Sequence, residues 1–138
     1  MNIDSITNGI VIDHITAGRG MKLYNLLKLD ELDSSVAIIK NVNSKKMGKK
    51  DIIKVDSEIP VNVDVIGYVD PGITINIIKN GVLTEKKTIG MPEILVNVIK
   101  CKNPRCITTV EQEIEHIFKL TDKENKVYRC VYCETKAQ

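Results

Sequence analysis

All four cysteines of this 138-residue chain fall after residue 100, as CKNPRC and CVYC. Four residues separate Cys101 from Cys106, and two separate Cys130 from Cys133. Each short pair can turn both thiolates, and nearby backbone N–H groups, toward one ion. Two such knuckles complete the tetrahedral four-thiolate set that a structural Zn2+ takes. Four thiolates leave no position for a catalytic water, so the expected cofactor is one Zn2+ per chain that holds structure and performs no chemistry. Disulfides and free thiols are the alternatives, and disulfides are disfavoured in a cytosolic chain. A rubredoxin-like iron site fits less well, because these knuckles lack glycine and aromatics are few. His116 lies between the knuckles, but the sulfurs already fill the site, and it is expected on the surface. Pro92 opens EILVNVIK, a strand leading into Cys101. The C-terminal part therefore reads as a small, mostly β module that needs a staple.

The first 90 or so residues have a different character. Hydrophobic residues make up 43% of the chain, aromatics only 4%, and Trp is absent, so the core must come from Ile, Val and Leu. Ile and Val favour strands. Gly9–Ile15, GIVIDHI, is the first strand, and strict alternation puts Ile10, Ile12 and His14 on one face and Val11, Asp13 and Ile15 on the other. An adjacent Asp13–His14 pair ends this aliphatic run, as expected where a strand emerges into solvent or meets something polar. After Gly18 and Gly20, Met21–Leu29 reads as an amphipathic helix with Lys22, Asn25 and Lys28 opposite Leu23, Tyr24, Leu26 and Leu27. Ser35–Val42 and Ile52–Val55 read as strands on either side of a lysine-rich loop. Residues 73–89 read as a hairpin that turns at Asn80-Gly81. A sheet-and-helix layer requires a second helix, expected within 61–69.

Charge excludes little. Residues 1–96 carry 12 basic and 12 acidic side chains, and residues 97–138 carry 8 and 6. No basic start precedes an apolar block, and no apolar run approaches the roughly 18 residues of a membrane span, so a soluble cytosolic protein is expected. Residues 40–54 contain six lysines and one aspartate, which by itself describes a solvated loop. Lys54, Lys86 and Lys87 differ in lying on strands, where lysines can surround a phosphate. There is no GxxxxGK[ST] loop, no dinucleotide fingerprint and no nucleophile with a base and an orienting partner. His14 with one neighbouring carboxylate is too little for catalysis. The chain reads as a binding module with no catalytic residues. Glu111, Glu113 and Glu115, at strand spacing, would repel phosphates and favour a protein partner over nucleic acid. A nucleic-acid-binding zinc ribbon is the rival, weakened by having only Arg19, Arg105 and Arg129 and few aromatics for stacking.

Taken together, GIVIDHI, KLYNLLKL, MGKKDIIK, ITIN and the CKNPRC…CVYC ribbon resemble, in order and across nearly the whole chain, the regulatory chain of aspartate carbamoyltransferase. The resemblance implies an α+β protein. Its first domain, 1–91, would be a ferredoxin-like α/β sandwich (an antiparallel sheet with two helices) that binds an allosteric nucleotide. Its second, 92–138, would be a small all-β zinc-ribbon domain docking on the catalytic chain. It implies that Ile3, Asp4, Ser5 and Ile6 line the base, with Asn76 beside it and the main chain of Gly81 reading it. Asp13 would accept from the ribose hydroxyls, His14 would lie near the triphosphate, and Lys54 would bridge base and ribose. Lys86 would be the main phosphate lysine, and Lys50 would help a second nucleotide or a metal-bound phosphate. The implied effectors are CTP and ATP, with UTP acting beside CTP. The implied partners are a second regulatory chain and the catalytic trimers, in pyrimidine biosynthesis. The sequence departs from the pattern at Gly81, where a bulkier residue is usual, in a shortened 57–71 segment, and in a tail that ends five residues after Cys133.

Overall fold

The structure, a computed structural model, describes residues 6–137, and the chain divides into two compact units, Met1–Gly90 and Met91–Gln138. In the first unit β1 (Gly9–Thr16), α1 (Gly20–Leu26), β2 (Val36–Ser44), β3 (Gly48–Val55), α2 (Val63–Val69), β4 (Thr74–Lys79) and β5 (Val82–Thr88) follow in sequence. The strands form one antiparallel sheet in the order β2-β3-β1-β4-β5. Without its last edge strand this is the ferredoxin-like βαββαβ sandwich.

Residues directly opposite one another in an antiparallel sheet project to the same side. Register therefore reads as rows. Val36–Val55–Ile10–Ile77 and Ile38–Ile53–Ile12–Ile75 cross the sheet on one face. Their buried members pack with Leu23 of α1 and with Ile66 and Val69 of α2. Burying one such side chain stabilises the fold by about 1.5–3 kcal/mol, so aliphatics close this core without Trp.

Several local details differ from the sequence reading. The expected helix over 21–29 stops at Leu26 because Lys28 turns left-handed (φ 55°), and a 3-10 turn, Leu29–Glu31, follows. Leu29 stays buried, so the apolar stripe outlasts the helix. The lysine-rich loop is mostly strand: β2 and β3 pair down to Ser44 opposite Gly48, leaving a turn at 45–47. Of the lysines on these strands, Lys40 lies on the edge strand β2, while Lys49, Lys50 and Lys54 lie on β3, with Lys49 exposed beside the turn. Ile15 lies in the core with Ile10 and Ile12, contrary to strict alternation, because β1 is bulged just before it. The helix expected within 61–69 is α2, and the Asn62 side chain caps it by accepting from the N–H groups of Asp64 (3.1 Å) and Val65 (3.3 Å). The hairpin turns at Asn80 (φ 53°) and Gly81 (φ 77°), both left-handed as a two-residue type I′ loop requires.

The second unit has β6 (Ile94–Val96), a short α3 (Ile107–Val110), β7 (Ile117–Asp122) and β8 (Val127–Cys130), with sheet order β6-β7-β8. Leu95, Phe118 and Tyr128 form its apolar centre, and the Tyr128 hydroxyl donates to the Pro92 carbonyl at 2.6 Å. The strand expected to run to Cys101 ends at Val96, where Asn97 turns left-handed (φ 56°) and its side chain accepts the His116 N–H at 3.0 Å. Glu111, Glu113 and Glu115 are exposed, but they precede β7 in irregular chain and form no strand face. Among the described residues no helix is long and apolar enough to cross a membrane.

Gly9 permits a close approach in the sheet, since a Cβ there would lie 2.1 Å from the Val55 carbonyl oxygen. Gly9→Ala is expected to lower the stability of the first unit by about 1–3 kcal/mol, because backbone must move to admit the methyl. Asn62→Ala should cost about 1 kcal/mol through the lost cap. Urea unfolding of both variants checks the order, and a Gly9→Ala chain as stable as the parent would refute the packing argument.

Candidate functional site

The helix-free side of the first unit's sheet carries its chemistry. One row there reads Ala37–Lys54–Val11–Asn76–Lys86 across all five strands. The next includes Asp13, Thr74 and Thr88. Lys50, opposite Thr16 and two places from Ile52, shares the parity of Lys54 and points the same way. Lys87 falls on the helix-covered side, opposite Ile75, and is no part of this set.

Asp13 is the anionic member. Its Oδ1 accepts from Lys50 Nζ at 2.9 Å and from the His14 backbone N–H at 2.6 Å. Burial pushes the Asp13 carboxyl upward, but the Lys50 hydrogen bond, the His14 N–H and the nearby positive charge outweigh it and hold the group below the ordinary aspartate range. Asp13 is thus ionised at neutral pH. Among the described residues both of these contacts fall on Oδ1, leaving Oδ2 to accept from hydroxyl donors.

Asn76, in the middle of the row, has its Oδ1 buried without a donor among the described residues. An orphaned buried acceptor costs about 1–3 kcal/mol, and an incoming N–H or O–H would remove that cost. The hairpin tip is tied to the chain ahead of β1: the Gly81 N–H donates to the Thr7 carbonyl at 2.8 Å, and the Asn80 N–H to Asn8 Oδ1 at 3.1 Å. Ile6 is buried at this end of β1, and Asp13 lies four residues beyond Gly9, at the bulge. From Gly9 to Asp13 the strand spans about 13 Å. Ile3, Asp4 and Ser5 lie outside the described residues.

His14 does not follow the alternation that would place it with Ile10 and Ile12. The register against β3 slips between Ile12 and Ile15, so β1 holds one extra residue there. His14 takes φ 61°, a left-handed conformation that costs about 1–3 kcal/mol in a non-glycine residue. Its Nδ1 lies 2.9 Å from the hydroxyl of Thr74, the residue opposite Asp13. The bulge brings Asp13 and His14 to neighbouring contacts and returns Ile15 to the core.

The four cysteines converge in the second unit. Their sulfurs all lie within 4.8 Å of one another, with Cys101–Cys133 and Cys106–Cys130 each at 3.6 Å. That is too long for a disulfide, at about 2.05 Å. It is close to the ~3.8 Å edge of a tetrahedron with Zn–S bonds of about 2.3 Å, so the donor set and spacing fit such an ion. The Thr108 and Thr135 hydroxyls, each 3.1 Å from a sulfur, lower the Cys106 and Cys133 thiols, Cys133 to about 6. Burial raises Cys130, and it raises Cys101 to about 12. His116 is half-buried and its Nδ1 accepts the Cys101 N–H at 3.0 Å, which replaces the expected surface role with a support for the first knuckle.

Sequence reasoning missed Thr74, Thr108 and Thr135, as well as the buried Asp51 and Asp70. The spacing Cys-x-Thr, present after both Cys106 and Cys133, was the available signal for two of the threonines. Nothing in the sequence marks Asp51 as buried rather than as the counter-charge of its lysine neighbours.

Comparison with known proteins agrees with this geometry. Residues 1–90 match the family described as aspartate carbamoyltransferase regulatory chain, allosteric domain, and residues 93–138 match its metal binding domain. The aspartate carbamoyltransferase regulatory chain of Clostridium botulinum (strain Hall) is 51% identical over 134 residues, 97% of this chain and 92% of that one. The Clostridium tetani protein of the same name is 50% identical over 135 residues, 97% and 94% of the two chains. That of Bifidobacterium longum is 42% identical over 138 residues, 100% and 99%. The chain belongs to the aspartate carbamoyltransferase regulatory chains, a non-catalytic family with an allosteric domain and a metal-binding domain.

Proposed function

We propose that residues 1–91 bind CTP and ATP, with UTP as an accessory effector, on the helix-free face of the sheet. The observation that carries this reading is the placement of Lys54, Asn76 and Lys86 in one cross-strand row beside the Asp13–Lys50 pair. Lys86 supplies the main point charge for a polyphosphate, Lys54 bridges base and ribose, Asp13 Oδ2 supplies an acceptor for vicinal hydroxyls, and Asn76 Oδ1 supplies an acceptor for a base N–H. Ile3–Ile6 and the Gly81 main chain complete the base end. Lys50, already on Asp13, is placed to reach a second nucleotide or a metal-bound phosphate. The nucleotide regulates by binding two quaternary states unequally, a coupling of about 1–3 kcal/mol in typical systems.

The second domain, 92–138, holds one structural Zn2+ through Cys101, Cys106, Cys130 and Cys133 and docks on a catalytic chain. Regulatory chains paired through their first domains then tie catalytic trimers together in the cytoplasm. The ion closes the loops around the sulfurs, and the surrounding residues do the rest: His116 holds the Cys101 N–H, and Thr108 and Thr135 face Cys106 and Cys133.

Calorimetric titration of the zinc-loaded chain with CTP tests the first half. Saturable binding is expected, weakened about ten- to a hundredfold by Lys86→Ala, the range for one hydrogen bond to a charged group. Silence toward CTP with salt-steep binding of an oligonucleotide would instead favour a nucleic-acid ribbon. For the second half, Cys130→Ser should abolish assembly with catalytic trimers on gel filtration while the trimers stay active. A normal assembly profile would sink the structural-metal role.

The pH dependence of metal affinity supplies a further test. Above about 6 the Cys133 proton is already gone, whereas below it that proton must also leave on binding. The slope of log affinity against pH should therefore steepen by about one proton as pH falls through that value. A slope constant from pH 5 to pH 7.5 would count against a pre-formed cluster.

A further inference from the structure

We infer that Asp51, which is fully buried on the helix-covered side and beyond the reach of any ligand on the open face, is the positioning residue for Asp13 and His14. The inference deepens the nucleotide reading above and rests on it for its affinity arm.

Both neighbours of β3 are bulged opposite the same point. On β1 the steps from Ile12 to Ile15 face those from Ile53 to Asp51, and on β2 the steps from Ile39 to Val42 face those from Ile52 to Lys50. Each flanking strand thus has one residue in excess, and each excess holds a left-handed non-glycine residue, His14 (φ 61°) and Asn41 (φ 59°). The Asp51 side chain ties the β2 bulge to the chain just beyond β1. Its Oδ1 accepts the Asn41 N–H at 3.0 Å, and its Oδ2 accepts the N–H groups of Gly18 and Gly20 at 3.0 Å each, in the turn that follows β1. A Cβ at residue 20 would sit 2.9 Å from that Oδ2, so glycine there permits the approach.

These contacts fix where β1 and β2 resume pairing after their bulges. For β1 that decides which way His14 faces: with the bulge it meets Thr74, and without it strict alternation would turn it toward the helices. The same residue anchors β3 next to Lys50, the partner of Asp13. Asp70 assists by accepting the Thr16 N–H at 2.7 Å, but it contacts neither the β2 bulge nor the turn at Gly18. An asparagine at 51 has the same shape yet offers a carbonyl on one side only, so its amide must face an N–H donor on the other.

The test compares zinc-loaded full-length parent, Asp51→Asn, Gly20→Ala and, as a control for plain destabilisation, Ile66→Val, a buried position on α2. The chain has only two histidines, so the His14 ring is readily assigned by NMR, with His116 of the other unit as internal reference. The expected result is loss of the cross-peak between the His14 ring and the Thr74 methyl in Asp51→Asn, with CTP affinity at least tenfold lower. Ile66→Val should change neither. Gly20→Ala, which displaces the Asp51 side chain without altering it, should weaken the same cross-peak and carries the test if Asp51→Asn does not fold. A cross-peak that survives in both variants overturns the inference. So does its loss with CTP affinity within twofold of the parent. If the parent itself ignores CTP, the nucleotide reading has failed, and the cross-peak alone decides what Asp51 does.

Discussion

A carboxylate buried beneath the sheet organises the first unit. Buried oxygens left without donors would cost about 1–3 kcal/mol or more. Asp51 is instead met by three backbone N–H groups drawn from the β1–α1 turn and from β2. Those donors are themselves awkward, since Asn41 is left-handed in a strand and Gly18 and Gly20 open a helix with no side-chain cap. Each side supplies what the other lacks. One side chain therefore holds the start of α1 and the kink in β2 against β3, and the opposite face of the sheet inherits their placement.

The second unit solves a different problem. Leu95, Phe118 and Tyr128 are too few to hold a small domain by apolar burial alone, and the sulfur cluster occupies the position that further core residues would fill. On the zinc reading, four thiolates around one divalent ion carry a net negative charge that needs donors. The Cys-x-Thr spacing provides a hydroxyl at Cys106 and another at Cys133, one in each of the closer sulfur pairs. The two supported sulfurs are thus never each other's nearest neighbours.

Much of this was legible in the residues. Cysteine spacing located the cluster, and Asn80-Gly81 located the hairpin. What alternation could not convey was a bulge. Period-two reasoning assumes an unbroken pleat, and one extra residue after Ile12 exchanges the faces of everything beyond it, which is why His14 and Ile15 were assigned the wrong way round. The cause lies in Asp51, a residue far from His14 in sequence and hidden among lysines that gave it an obvious surface role. The lysine run misled for a related reason: lysine reads as loop by charge, while its aliphatic stem is compatible with an exposed edge strand. His116 was expected on the surface, because a backbone partner for a ring nitrogen has no sequence signal.

On the nucleotide reading, charge on the open face suits a ligand of mixed character. Three lysines on strands would attract any polyphosphate, and by themselves they would not distinguish a nucleotide from an inorganic chain. Asp13 changes that. Held ionised by Lys50 and the His14 N–H, it repels phosphate at its own position and welcomes hydroxyl donors there. Asn76, with an acceptor that finds no donor among the described residues, adds a demand for N–H or O–H. A ligand that satisfies all of these must carry anionic charge, neighbouring hydroxyls and a further donor along a strip of about 13 Å. On the nucleotide reading, selectivity thus comes less from the lysines than from the two acceptors set among them.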